Sequence, residues 1–391
     1  MRADAFAPFA SNQVPIALER SRLTRNLGRT LREIRGVSHR FPVGMAETAQ
    51  EPDFHWDAPC DTRYAHKIPG LGGVLHVFQQ GWTGIRAAAG SLPGRKLAIK
   101  PEAPLPPHVL RQLARAIVDA APERILMQGM SDVLGPLADE LAAQGLHERL
   151  FVSLHGAPSQ WFSQAEARYA FKCLELARSG KIRRLHVMKA GFEFPAARLY
   201  PPMLFNLSPR LGDQALEADI ASGDAQGDEA IALVPGWTGW RKNIHANALG
   251  AALSPRIKEV VAFGSNLALP PPLDAKIRVV PFVAREQTFE LIQASALVMN
   301  VSLVDCHPMV HLEAQSLGKA CLRGPLFLDA LEDHPYVRLT EVPDVSSPGQ
   351  IRGAVERVLD VPPQARRDLV RDYQAASDRI ALQRYHEFLE L

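Results

Sequence analysis

The chain has 391 residues, with 44 Lys and Arg against 42 Asp and Glu, a net charge of +2. This length exceeds one ordinary core and predicts two domains, while 47% hydrophobic and 22% charged residues exclude the disordered and fibrous classes. The near-neutral charge gives no field that would favour nucleic acid as a partner.

The first 65 residues predict an N-terminal extension with a basic amphipathic helix. Leu23, Leu27, Leu31 and Ile34 recur at helical spacing, and six arginines between positions 20 and 35 fall on the other faces. Such a helix can lie on an anionic membrane. The alternative is a helix that docks on the body of the protein or on a partner.

Residues 66–210 predict a Rossmann-like domain, because short apolar runs alternate with helical stretches long enough for crossovers. The predicted strands of this domain are 74–78, 96–100, 124–128, 150–154, 185–188 and 203–205. The predicted helices are 108–120, 133–143 and 163–178.

A polar stretch at 211–229, with three glycines and no strand pattern, predicts a linker. Residues 230–362 then repeat the α/β pattern, and 363–391 predict a last helix that can cross back onto the first domain. The fold class is therefore α/β, with two Rossmann-like domains facing a cleft. In the second domain we predict strands at 230–234, 259–263, 277–281, 296–301 and 320–322. We predict helices at 243–253 and 289–294.

Ligands of parallel sheets bind beyond the carboxyl ends of the strands. After the strand at 296–301, a loop carries Asp305 and His307, Pro308 is suited to the first helical position, and Gly318 to the helix end.

The start of this helix predicts an anion site. Its unpaired N–H groups and its dipole both favour a diphosphate. We expect donor contacts from His307, Pro308, Met309 and Val310.

The same stretch resembles the paired-acid motif of retaining glycosyltransferases of the GT-B, GT4-like group (glycosyl transferases group 1). Asp305 and Glu313 are eight positions apart, and Ser302, Pro308 and Gly318 match the flanking pattern. The resemblance implies that Glu313 binds the donor ribose and that Asp305 lies at the transferred sugar as a catalytic residue. Asp stands where Glu is commoner. A solvated Glu313 and a metal site at His307 and His311 are the alternatives.

The loop after the strand at 230–234 is similar to the loop that holds the donor diphosphate in that group. Gly236 lies in it, and Lys242 and Asn243 match a Lys-Asn pair. The group's earlier Arg falls on Trp237, so either Arg241 substitutes for it or the diphosphate is held differently. Cations at a helix start oppose the dipole unless an anion is present, and the alternative is a solvated Arg-Lys pair.

In the first domain, Gly81, Thr83 and Gly84 follow the first strand and His155 follows the fourth. Glycines let a loop approach a ligand closely. In similar enzymes these positions meet the acceptor and the transferred sugar, which makes His155 a candidate catalytic residue. The alternative is a structural histidine.

Several motifs are missing from the sequence. It has no Asp-x-Asp pair, no Walker A motif and no complete dinucleotide fingerprint, which disfavours a metal-dependent GT-A enzyme; we expect no metal and no cofactor. Absence of C-x-x-C pairs, of a signal pattern and of long apolar runs favours a cytoplasmic protein, at the inner membrane surface if the basic helix binds there.

The predicted function is a hexosyltransferase-like, retaining, metal-independent transfer from a nucleotide-sugar to a glycan or lipid-linked acceptor, as in polysaccharide biosynthesis. The alternatives are an epimerase or phosphorylase of the same fold, and a non-catalytic module that binds a sugar-nucleotide or a glycan.

Overall fold

The computed structural model describes residues 55–56, 62–100, 103–189, 199–211, 230–236, 239–264 and 267–391. The chain divides into two units, 1–51 and 52–391. The first unit, with the predicted basic helix and its membrane contact, lies outside the described residues. So does the predicted linker beyond Leu211.

The first half of the second unit contains a six-stranded sheet in the order β1-β3-β2-β4-β5-β6. Strand β1 is antiparallel to β3, and the other neighbours are parallel. The strand order reverses between β2 and β4, which makes that point the topological switch of the sheet. The strands are β1 (His55–Trp56), β2 (Val74–Gln79), β3 (Arg95–Ile99), β4 (Arg124–Gln128), β5 (Leu150–Leu154) and β6 (Arg184–Val187).

Helices of this half cover the sheet with apolar stripes. In α2, Val109, Leu113 and Ile117 recur at helical spacing and are buried. The central strands are buried on both faces, as parallel strands under helices are. The helices are α1 (Thr83–Ser91), α2 (Pro107–Asp119), α3 (Leu134–Ala143) and α4 (Gln164–Arg178).

The second half contains a five-stranded parallel sheet in the order β11-β10-β7-β8-β9. Its strand order reverses between β7 and β10, so the loops that follow these two strands flank its switch point. The strands are β7 (Ala230–Val234), β8 (Ile257–Phe263), β9 (Ile277–Val280), β10 (Leu297–Asn300) and β11 (Cys321–Arg323), and the helices are α5 (Ile244–Ala252), α6 (Arg285–Ala294), α7 (Met309–Ser316), α8 (Pro335–Thr340), α9 (Pro348–Asp360) and α10 (Pro363–Leu389).

The predicted strand at 203–205 is wrong. Met203, Leu204 and Phe205 are buried but irregular, and the N–H of Leu204 donates to Nε2 of His186 instead of to a strand. A short apolar run reports burial, and burial alone does not select a strand.

The last helix, α10, packs against the first sheet. Phe388 contacts Phe151 with ring centroids 5.4 Å apart, and the Glu390 carboxylate accepts a hydrogen bond from Arg183 at 3.0 Å. The amino-terminal part of α10 packs in the second half, where Tyr373 lies against Tyr336. The helix therefore joins the two halves. Within the described ranges, no helix is both long and apolar enough to cross a membrane.

Candidate active site

A partly buried ion pair lies at the switch point of the second sheet. Lys242 ends the short 3-10 helix Trp240–Lys242 after β7, and Asp305 lies in the loop after β10. The Lys242 Nζ is 2.6 Å from Oδ2 of Asp305, and the two side chains are 18% and 16% exposed. Neighbouring strand ends thus bring together two residues that are 63 positions apart.

Burial would raise the pKa of Asp305, but the charge and hydrogen bond of Lys242, with a hydrogen bond from Asn300, outweigh it. The pKa of Asp305 therefore lies below its ordinary value, and the carboxylate is ionised at neutral pH.

Asn247 of α5 holds the two loops in register. Its Oδ1 accepts from the Val301 N–H at 2.9 Å, and its Nδ2 donates to the carbonyls of Asn243 and Val301. The Leu303 N–H also donates to the Arg241 carbonyl at 2.8 Å. Asn247 was not among the predicted site residues. Its signal was a polar residue on the apolar face of a predicted helix, where a buried amide needs partners.

Two residues of the predicted diphosphate loop, Gly236 and Asn243, determine the conformation of the loop. Asn243 takes the left-handed conformation, φ 52° and ψ 38°, which Asn tolerates better than most residues, and its Nδ2 donates to the Val345 carbonyl at 2.6 Å. A Cβ on Gly236 would lie 2.2 Å from Cδ1 of Ile244. Both shape the loop that carries Arg241 and Lys242, and their contact with a donor stays a prediction.

Helix α7 begins at Met309, with Pro308 as its N-cap, one residue later than predicted. Proline has no N–H to offer at either position, and the first free amides belong to Met309 and Val310. Gly318, at φ 68°, ends the helix in the left-handed conformation as expected.

His307 connects this loop to the segment 199–211. Its Nδ1 accepts from the Asn206 N–H at 3.0 Å, and its carbonyl accepts from the Asn206 side chain. Burial lowers the pKa of His307 to about 3, so the ring is neutral. The Nδ1 of His307 is thus already used by the protein.

The other histidine of this stretch, His311, is buried, and burial lowers its pKa to about 3 as well. Its Nε2 has no hydrogen-bond partner within the described part of the chain. Over the same residues, no group of three or more His, Cys, Asp or Glu is arranged to hold a metal ion.

Glu313 is paired with Arg285 of α6. The Nε of Arg285 donates to Oε1 of Glu313 at 2.9 Å, and its guanidinium lies over the rings of Tyr64 and Phe289 at 4.8 and 5.4 Å. Burial raises the pKa of Glu313, and Arg285 offsets this only in part. The alternative of a solvated Glu313 is wrong, because the residue is 8% exposed. No sequence pattern pointed to Arg285.

His155 brings the first half to this site. It follows β5, its Nε2 is 2.7 Å from Oε1 of Gln128, and its carbonyl accepts from Sγ of Cys306 at 3.2 Å. Burial lowers the pKa of His155 to about 4, so the imidazole is neutral. Since Cys306 follows Asp305 directly, His155 lies beside the acidic loop of the other half.

The predicted acceptor loop lies at the start of α1. Gly81, Thr83 and Gly84 are exposed, and a Cβ on Gly84 would meet open space. Further along α1, Ala87 and Ala88 pack against Met309 and Leu312 of α7. The two helices that carry the predicted acceptor and donor residues are therefore in contact.

Lys189, which was not among the predicted site residues, also contacts the acidic loop. It follows β6, and its Nζ donates to the carbonyls of Asp305 and Leu326 at 3.0 and 3.1 Å. Burial lowers the pKa of Lys189. A cation just after a predicted strand end was the available signal.

Solved structures of similar fold include sugar-phosphate synthases and a glycosyltransferase. A UDP-forming α,α-trehalose-phosphate synthase from Burkholderia xenovorans superposes with a TM-score of 0.53 at 11% identity, covering 81% of this chain and 98% of that one. A sucrose-phosphate synthase from Thermosynechococcus elongatus superposes with a TM-score of 0.53 at 13% identity, covering 81% of this chain and 98% of that one. A glycosyltransferase from Rickettsia africae superposes with a TM-score of 0.51 at 12% identity, again covering 81% of this chain and 98% of that one.

No protein-family model matches the chain, and no curated protein matches it. At these identities the structural likeness concerns the fold. The chain has the GT-B architecture of two facing Rossmann-like halves.

Proposed function

We propose that this protein is a glycosyltransferase that moves a sugar from a nucleotide-sugar to a glycan or lipid-linked acceptor, with retention and without a metal ion. The observation that carries the proposal is the Lys242–Asp305 pair at the switch point of the second sheet. Ligands of open parallel sheets bind at this position, and a partly buried cation there suits a phosphorylated ligand.

Lys242, Arg241 and the first amides of α7 would hold the donor diphosphate. Lys242 already has one anionic neighbour in Asp305, and a diphosphate would give it a second. Negative charge grows on the leaving diphosphate as the bond to the sugar breaks. Preorganised cations and amides stabilise that charge more in the transition state than in the ground state. The sequence has no Asp-x-Asp pair, so these groups take the part of a metal in this proposal.

The sugar would lie between Asp305 and His155. The Asp305 carboxylate is suited to accept hydrogen bonds from sugar hydroxyls. The neutral His155 ring donates its Nε2–H to Oε1 of Gln128, which leaves Nδ1 to accept one from a hydroxyl. The acceptor would enter past Gly81, Thr83 and Gly84. Its hydroxyl oxygen bonds to the anomeric carbon, nucleoside diphosphate leaves, and the hydroxyl proton is released.

The nucleoside would lie toward Glu313. Arg285 holds the Glu313 carboxylate at 2.9 Å, which fixes an acceptor for ribose hydroxyls. Uridine diphosphate sugars are the first donors to test, because a similar structure is described as UDP-forming.

The test is to incubate the protein with UDP-, ADP- and GDP-sugars and to follow nucleotide release with and without glycan acceptors. Acceptor-dependent release that survives EDTA supports the proposal. Isomerisation of the donor sugar without release would indicate an epimerase. Formation of sugar 1-phosphate from a glycan and inorganic phosphate, with no nucleotide-sugar consumed, would indicate a phosphorylase. Binding of donors without turnover, under every acceptor, would indicate a non-catalytic module.

A further inference from the structure

A cluster of four aromatic side chains, three exposed and one half-buried, lies across the two halves of the protein. Phe162, Phe171 and Trp240 are 71%, 58% and 53% exposed. Phe162 and Trp240 are in edge contact with ring centroids 5.6 Å apart, and Trp161 and Phe171 are 5.6 Å apart. We call these four residues the aromatic patch. Large apolar side chains grouped on a surface mark a binding site more often than single ones do.

The patch borders the candidate active site on both sides. Phe162 ends the 3-10 helix Pro158–Phe162, which begins three residues after His155. Trp240 directly precedes Arg241 and Lys242. The Phe162–Trp240 contact therefore joins the loop after β5 to the loop after β7, and both loops carry predicted site residues.

A shallow surface pocket extends the patch along α4. Its lining includes Phe171 together with Gln164, Arg168, Lys172 and Glu175. From Gln164 to Glu175 the helix rises roughly 16 Å at about 1.5 Å per residue, which is longer than a single sugar ring. Ring faces at one end and hydrogen-bonding groups along the length suit a ligand with apolar faces and hydroxyl edges.

The charges of this surface cancel locally. Arg168 donates to Asp132 at 2.8 Å, while Lys172 lies 2.8 Å from Asp139 and 3.1 Å from Glu175. A surface for phosphate or for anionic lipid needs cations in excess. Because each of these cations has a carboxylate beside it, the pocket favours a neutral ligand.

We propose that the aromatic patch and the α4 pocket bind a neutral glycan chain of several sugar units, whose growing end reaches the cleft as the acceptor. This rests on the proposed function, and it narrows the acceptor to one recognised by its saccharide portion. The rings of Trp240 and Phe162 hold the units next to the cleft, and Phe171 with the polar residues of α4 holds those farther away.

The test is a calorimetric titration of the protein with neutral linear disaccharides and hexasaccharides. These are built from α- or β-linked glucose, mannose, galactose or N-acetylglucosamine. At least one hexasaccharide should bind more tightly than its disaccharide. Trp240→Ala and Phe162→Ala should weaken its binding about tenfold or more, the loss expected when a large ring contact is removed. Phe171→Ala should affect the hexasaccharide and spare the disaccharide.

Leu253→Ala is the matched control, because Leu253 is a 37% exposed apolar residue at the end of α5; it should bind glycans as the wild type does. UDP affinity, measured in every variant, shows whether the donor half is intact. If donors fail to bind the wild type, the proposed function is wrong, whereas normal donor binding with no glycan binding overturns the acceptor proposal alone.

Three other outcomes would also overturn the acceptor proposal. The first is equal glycan affinity in the wild type and the patch variants. The second is patch-dependent sedimentation with vesicles of phosphatidylcholine and phosphatidylglycerol in place of glycan binding. The third is a dimer that becomes a monomer on Trp240→Ala, which would make the patch a contact between two copies of the chain.

Discussion

Arg285 donates a hydrogen bond from Nε to the carboxylate of Glu313 at 2.9 Å, and both side chains are largely buried. The two residues lie on neighbouring helices, α6 and α7. A buried carboxylate keeps its charge only if a cation stays beside it. The Glu313 carboxylate, which we propose binds the donor ribose, is therefore held in place before any donor binds.

Glu313→Gln should weaken donor binding by about 1 to 3 kcal/mol, because a charge-assisted hydrogen bond becomes a neutral one. Calorimetric titration with UDP measures this. Glu286→Gln, a change at an exposed residue on α6 that pairs with Arg63, is the control and should leave affinity unchanged. Equal UDP affinity in Glu313→Gln and the wild type would remove Glu313 from the donor site.

Lys242→Ala should lower turnover by about 100-fold or more, the loss typical of one preorganised electrostatic contact to developing charge. Excess EDTA should leave the wild type active. Lys276→Ala, which removes a cation that binds backbone carbonyls at the far end of α5, serves as the control. Full turnover in Lys242→Ala would place the diphosphate elsewhere, and chelator inhibition reversed by Mg or Mn would contradict the metal-free mechanism.

Lys189→Met should loosen the acidic loop, because it removes two hydrogen bonds to the carbonyls of Asp305 and Leu326. We expect turnover to fall by roughly tenfold and the melting temperature to drop, since net loss of a hydrogen bond from a charged donor costs about 1.5 to 3 kcal/mol. Lys181→Met, at a more exposed cation paired with Asp139, should change neither. A Lys189→Met variant with unchanged turnover and melting temperature would show that Lys189 does not position the loop.

The buried histidines predict a loss of stability in acid. Burial lowers the pKa of His186, His307 and His311 from 6.5 to about 3. As the pH falls below 6.5, these histidines are protonated in the unfolded chain but stay neutral in the folded chain. The free energy of unfolding is therefore at its full value above pH 6.5 and falls toward pH 3. Each histidine contributes a slope of up to about 1.4 kcal/mol per pH unit.

Thermal unfolding between neutral pH and about pH 5 checks this. His311→Leu should flatten the pH dependence, because it removes one such group whose Nε2 has no hydrogen-bond partner among the described residues. His108→Leu, at an exposed position in α2, should leave the slope unaltered. An equal slope in His311→Leu and the wild type would contradict the assignment.

Local patterns in the sequence were enough to predict the two α/β series and most of their strands. Strands β4, β5 and β7 begin and end at the predicted residues, because apolar runs of that length between helical stretches have few alternatives. The loops after β7 and β10 were found for the same reason, since parallel strands end at a common edge and these loops combine glycine, proline and charge.

Which residues come into contact depends on the tertiary fold. Strand order within a sheet is set by packing between distant segments, so the Lys242–Asp305 pair and the Phe162–Trp240 contact are invisible to local patterns. The same holds for Lys189, Arg285 and Asn247, whose partners come from other elements. The irregular course of residues 203–205 was likewise decided by partners, because the local apolar pattern reports burial and long-range hydrogen bonds select the backbone conformation.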